Sequence, residues 1–152
     1  GRKESQTMYK GQCLCGAVAF EVEEIIGPFE LCHCTRCRKS TGSAFAATVG
    51  AKADSFRITA GADHVKTFEL PVVDQPPAYT TCFCSRCGSA VPLADPAADW
   101  LEIPAGLFNT QLPLRPERHI YIEYKASWES IDDDLPTFTR NQIAGLRGHD
   151  ER

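Results

Sequence analysis

The sequence predicts one mainly β domain of short, mostly antiparallel strands. Three observations carry this: brief apolar segments recur at intervals of about ten residues, Gly, Pro, Asp or Asn bounds each of them, and the ten prolines are scattered through the connections. No long amphipathic helix interrupts the pattern. At 152 residues the chain suits a single domain, with polar segments at 1–8 and 145–152 read as flexible tails.

The first segment, 17–22, alternates as a half-buried strand does, and Gly27-Pro28 is expected to break the chain after it. Further strands are expected at 43–49, 56–59, 65–70, 78–83, 89–93, 100–105 and 119–124. Residues 127–135 read as a short helix, with Ser127 as its cap, Glu129 in its first turn and Pro136 as its stop.

Hydrophobic residues make up 43% and charged residues 24%, so the chain has the material for a core and lies outside the disordered class. A net charge of -4 gives no field that would hold a phosphate backbone, which disfavours nucleic acid as a partner. No apolar run approaches the roughly 20 residues needed to span a bilayer. The opening GRKESQTMYK contains no signal-peptide core, so a cytoplasmic location is expected.

Eight cysteines are the unusual feature. They fall into three groups: Gly11-Gln12-Cys13-Leu14-Cys15-Gly16, Cys32-His33-Cys34-Thr35-Arg36-Cys37, and Cys82-Phe83-Cys84-Ser85-Arg86-Cys87-Gly88. In a cytosolic chain such spacing indicates metal, because a tight turn brings two sulfurs to within about 2.3 Å of one point without strain, whereas bridges within C-x-C are strained. Cys84-x-x-Cys87-Gly is half of a zinc site, Gly88 permitting the turn that closes it. Cys13-x-Cys15-Gly supplies the other half, giving a structural zinc whose coordination, worth roughly 10 to 16 kcal/mol in small zinc peptides, offsets the closure of a long loop.

Cys32, Cys34 and Cys37 suggest a second zinc of the open kind, with three protein ligands and a vacant position. Cys82 leaves alternatives: it completes this second site, or it is a free thiol buried beside the first zinc, since residues two apart on a strand share a face. Arg36, Arg38 and Lys39 could neutralise the triple or meet a ligand's carboxylates, but read more simply as a solvated loop. His33 is expected to point away from the ligands and His119 to be structural. Trp100 and Trp128 read as core or edge aromatics, and Asp132, Asp133 and Asp134 as a solvated turn.

The combined pattern, G-x-C-x-C-G, C-H-C-x-x-C-R and F-C-x-x-C-G, resembles the glutathione-dependent formaldehyde-activating enzymes, a family that includes centromere protein V. Gly42-Ser43, Gly88-Ser89, His119-Ile120-Tyr121, Lys125-Ala126-Ser127-Trp128 and Asp133-Asp134-Leu135-Pro136 extend the resemblance over nearly the whole chain. It implies an all-β fold called a β-tent, a structural zinc on Cys13, Cys15, Cys84 and Cys87, and a weaker, partly occupied zinc on the catalytic residues Cys32, Cys34 and Cys37. The implied activity is that of a carbon-sulfur lyase interconverting S-hydroxymethylglutathione with glutathione and formaldehyde, so a small thiol and a small aldehyde are the expected partners. If Cys82 closes the second site, the alternative is a non-catalytic binding or scaffold module with two structural zincs.

Overall fold

A computed structural model describes residues 7–71 and 79–146. Its strands are β1 (Tyr9–Gln12), β2 (Ala19–Val22), β3 (Ile25–Cys32), β4 (Ala46–Lys52), β5 (Phe56–Ala60), β6 (Val65–Leu70), β7 (Tyr79–Cys84), β8 (Trp100–Pro104), β9 (Arg118–Ile120) and β10 (Thr137–Phe138). Two helices, α1 (Thr35–Thr41) and α2 (Arg140–Leu146), join them. The expected tails lie largely outside the described residues, although Gly145 and Leu146 belong to α2.

The strands form three sheets, ordered β1-β2-β5, β10-β9-β3-β4-β8 and β6-β7. Alternation gives β2 and β8 one inward face each: Phe20 and Val22 from the first sheet meet Leu101 and Ile103 from the second, with Phe29, Val49 and Ala51 completing the core between them. Burial of such side chains contributes roughly 1.5 to 3 kcal/mol each, which makes this contact the main adhesive between the sheets.

β3 is the axis of the larger sheet. It pairs antiparallel with β4 and parallel with β9, so Cys32 lies between Ala46 and Ile120, and Leu31 between Ala47 and His119. Its neighbour Glu30 is 1% exposed and is matched by Arg118, whose Nε donates to Glu30 Oε2 at 2.8 Å. A carboxylate so buried requires such a partner.

The β reading holds, with parallel pairing of β3 with β9 and of β9 with β10 inside an otherwise antiparallel set. Gly27-Pro28 does not end a strand as expected. It sits at an irregularity between Ile25 and Phe29, where the missing proline N–H needs no ladder partner, and pairing with β4 resumes at Phe29. The expected strand at 119–124 stops at Ile120, because Tyr121 turns the chain at φ 57.

Residues 127–135 are not a helix. Lys125 Nζ donates to the carbonyls of Ala126 and Glu129, and the Asp133 carboxylate accepts from His119 and from the Leu135 N–H, so tertiary bonds hold the segment irregular. Residues 36–39, expected as a loop, lie in α1. Trp100 packs at the sheet edge over Gly50, whereas Trp128 is 71% exposed and is not a core aromatic.

One glycine ties the β5 end to the first cysteine turn. Gly61 has φ 76, and a Cβ there would fall on the Ala17 carbonyl; Gly42 has φ 63 with open space around it. Gly61→Ala is expected to destabilise the fold by about 3 kcal/mol and Gly42→Ala by only about 1 kcal/mol, as read by denaturant unfolding.

Candidate metal centres

The first cluster is made by two glycine-closed turns, one of C-x-C-G and one of C-x-x-C-G spacing. After β1, Cys13 N–H donates to Val18 O and Gly16 N–H to Cys13 O, each at 3.0 Å; after β7, Gly88 N–H donates to Cys84 O at 2.7 Å. Gly16 and Gly88 both stand at φ 81, the left-handed geometry that lets each turn close on itself.

These turns gather Cys13, Cys15, Cys84 and Cys87 so that their sulfurs all lie within 4.8 Å of one another. Cys13 Sγ is 3.7 Å from Cys15 Sγ, which is 3.9 Å from Cys84 Sγ. Tetrahedral zinc with four thiolates requires sulfur separations of about 3.8 Å, so the donor set fits that ion. Backbone N–H groups of Val18, Ala17 and Arg86 donate to the sulfurs of Cys13, Cys15 and Cys84, at 3.3, 3.5 and 3.4 Å. Ser89 Oγ accepts from Leu14 N–H at 2.9 Å and lies 3.3 Å from Cys87 Sγ, bridging the two turns. Hydrogen bonding from the Ser89 side chain, with its backbone N–H, draws the Cys87 thiol down to about 5. The sulfurs are thus acceptors, as thiolate ligands should be.

The second cluster stands where β3 runs into α1. Cys32 ends the strand, Cys34 caps the helix with its sulfur accepting Cys37 N–H at 3.3 Å, and Cys37 follows within the first turn. Their three sulfurs also lie within 4.8 Å of one another, and among the described residues no fourth His, Cys, Asp or Glu joins the group. Hydrogen bonds from Cys32 and Cys37 drive the Cys34 thiol far down, and the same sharing pushes Cys32 up. Ile120 of β9 and Ile143 of α2 pack against the three.

Cys82 is not brought to this cluster. Its thiol is 3.7 Å from Pro92 O, in a pocket of core with Cys13, Val18, Cys84 and Val91, and burial raises it. The geometry matches the reading of a buried thiol beside the first cluster.

His33, flanked by two of the sulfurs, is completely buried and turned away from them. Its Nε2 is 2.8 Å from His119 Nδ1, and its Nδ1 is 3.3 Å from Glu129 Oε1. His119 Nε2 in turn donates to the Asp133 carboxylate at 3.0 Å, which places the shared proton between the two rings on His33 Nε2. Burial, reinforced by His119, holds His33 down at about 4; the His119 hydrogen bond lowers Asp133. The second turn is therefore fastened to β9 and to the 129–133 segment by a buried polar chain. Asp133 is in this respect an exception to the solvated acidic turn expected at 132–134.

Sequence reasoning gave no role to Tyr79, whose hydroxyl lies 3.5 Å from Cys37 Sγ and 3.4 Å from Ser40 Oγ. Burial, followed by the Cys37 charge, pushes its phenol up. The Arg36 guanidinium stacks 4.8 Å above its ring, so Arg36 is a packing partner of the site, while Lys39 is exposed. A residue 42 positions from Cys37 has no local motif to betray it.

Residues 8–124 match the sequence model of the family described as "Glutathione-dependent formaldehyde-activating enzyme". A protein of Halomonas elongata named "Putative glutathione-dependent formaldehyde-activating enzyme" is 34% identical over 129 residues, covering 82% of either chain. A Rhodobacter sphaeroides protein of known crystal structure shares the fold, with a TM-score of 0.53 at 19% identity, over 84% of this chain and 98% of its own.

Replacing one of the four sulfurs that join distant turns should remove the closure itself. Cys84→Ser is expected to abolish soluble folding, read by expression, circular dichroism and metal content; a well-folded, metal-free variant would contradict the structural role.

Proposed function

Because the chain belongs to the glutathione-dependent formaldehyde-activating enzyme family, we propose that it is a zinc-dependent carbon-sulfur lyase acting on a small thiol-aldehyde adduct, of the kind glutathione forms with formaldehyde. The observation that supports this most is the unequal make-up of the two clusters. Four sulfurs gather at the first and three at the second, the latter without a fourth ligand among the described residues.

In this reading Cys13, Cys15, Cys84 and Cys87 hold a zinc that closes the fold. Cys32, Cys34 and Cys37 hold a second zinc, and leave one position for a ligand from outside. When bound, that zinc supplies acidification of a coordinated thiol at neutral pH. Three anionic sulfurs make it a weak Lewis acid, so activation of the thiol outweighs polarisation of a carbonyl.

The chain's own residues set the conditions. His33, neutral and hydrogen-bonded through Nε2 to His119, keeps the turn fixed while facing away from the sulfurs. Ile120 and Ile143 wall the sulfurs from one side, limiting water around the charged centre. In the lyase direction the adduct's carbon-sulfur bond breaks, its hydroxyl proton leaves as the aldehyde carbonyl forms, and the sulfur departs as thiolate; synthesis is the reverse. The cysteine usage also supports a reducing, cytoplasmic setting. Among the described residues no helix is long and apolar enough to cross a membrane.

The cap at Cys34 suggests a clean test, because serine is itself a good N-cap and preserves the helix start. Cys34→Ser is expected to keep the fold and the first metal. It should lose the acceleration of glutathione-formaldehyde exchange over the spontaneous rate, measured by magnetisation-transfer NMR. Unchanged acceleration would remove the triple from the mechanism.

A further inference from the structure

We infer that Tyr79 is a positioning residue of the second centre, its hydroxyl donating a hydrogen bond to the Cys37 sulfur and thereby restraining that ligand's charge. The inference rests on the proposed three-sulfur metal site.

The phenol has one proton and two neighbours, Cys37 Sγ at 3.5 Å and Ser40 Oγ at 3.4 Å. Ser40 already spends its own proton on the Cys37 carbonyl at 3.2 Å, so it offers the phenol a neutral acceptor. A metal-bound Cys37 is a thiolate, which can only accept. Hydrogen bonds to an ionised acceptor are roughly twice as strong as neutral ones, so loading the site turns the phenol proton toward sulfur.

Two further contacts fix the ring. Arg36, one residue before Cys37, stacks on its face, and the backbone of β7 carries it opposite Leu70 of β6. β7 begins at Tyr79, which meets the second cluster, and ends at Cys84, which belongs to the first. One six-residue strand therefore joins the two centres mechanically.

A hydrogen bond to a ligand sulfur withdraws charge from it, makes it a poorer nucleophile and donor, and leaves the metal better able to take an incoming thiol. Tyr79→Phe removes the bond but keeps the ring and the Arg36 stack. In zinc-loaded protein, alkylation of Cys37 by iodoacetamide, followed by peptide mass mapping, should accelerate roughly 3- to 10-fold. In the cobalt-substituted protein the sulfur-to-metal charge-transfer band of the second site should move to lower energy. Ser40→Ala should change neither reading, and both variants should retain two metals per chain.

If Tyr79→Phe holds two metals and matches wild type in alkylation rate and band energy, the role assigned to Tyr79 is wrong while the metal site stands. An equal acceleration in Ser40→Ala would also overturn it, by tracing the effect to α1. Wild-type protein that binds one metal per chain would sink the metal site and this inference together.

Discussion

The approach of Cys15 to Cys84, 69 residues apart in sequence and 3.9 Å apart at sulfur, is the constraint on which the remaining architecture depends. It binds the turn between β1 and β2 to the end of β7, and so couples the β1-β2-β5 sheet to the β6-β7 pair. Such a closure is entropically unfavourable for a chain of this size, and the surrounding core of Val18, Cys82 and Val91 is small. In the proposed reading, a divalent ion held by the four convergent thiolates would provide the compensation that apolar area there cannot.

The second cluster obeys a different logic. It sits on the central strand of the larger sheet, where β3 is already held on both sides by β4 and β9, and its helix cap is built from one of its own sulfurs. Its framework is therefore supplied by sheet, helix and the buried His33–His119 link, and metal is not needed to hold the chain there. A site whose scaffold does not depend on an ion would be free to exchange ligands, and the role proposed for the three sulfurs follows from that freedom.

Both sulfur groupings were legible in the sequence, because C-x-C and C-x-x-C turns are local and carry their geometry with them. Strands β2 and β4 to β8 were legible for the same reason, as alternation within a few residues, whereas β1, β3 and β10 were not foreseen and the strand expected at 89–93 is only a bridge at Ala90. What escaped was set by tertiary contact. The Gly27-Pro28 irregularity within β3 looks like a terminus, residues 127–135 look helical until Asp133 is claimed by His119, and Tyr79 meets Cys37 only through the fold. Helix α2 is a different case, since Thr139 and Gln142 bond reciprocally at its start and this capping pair can be read from sequence. Cys82 was undecidable locally, as strand parity puts it beside Cys84 but says nothing of which cluster it joins.

Seven of the eight sulfurs gather in two clusters of unequal make-up. Zinc content and reactive-thiol number measured together, on native protein before and after glutathione is added, test it most directly. Two zincs are expected, one resistant to chelator and one labile and responsive to glutathione, with Cys82 as the single thiol that stays outside both. Two equally tight zincs, no remaining thiol and no response to glutathione would contradict it.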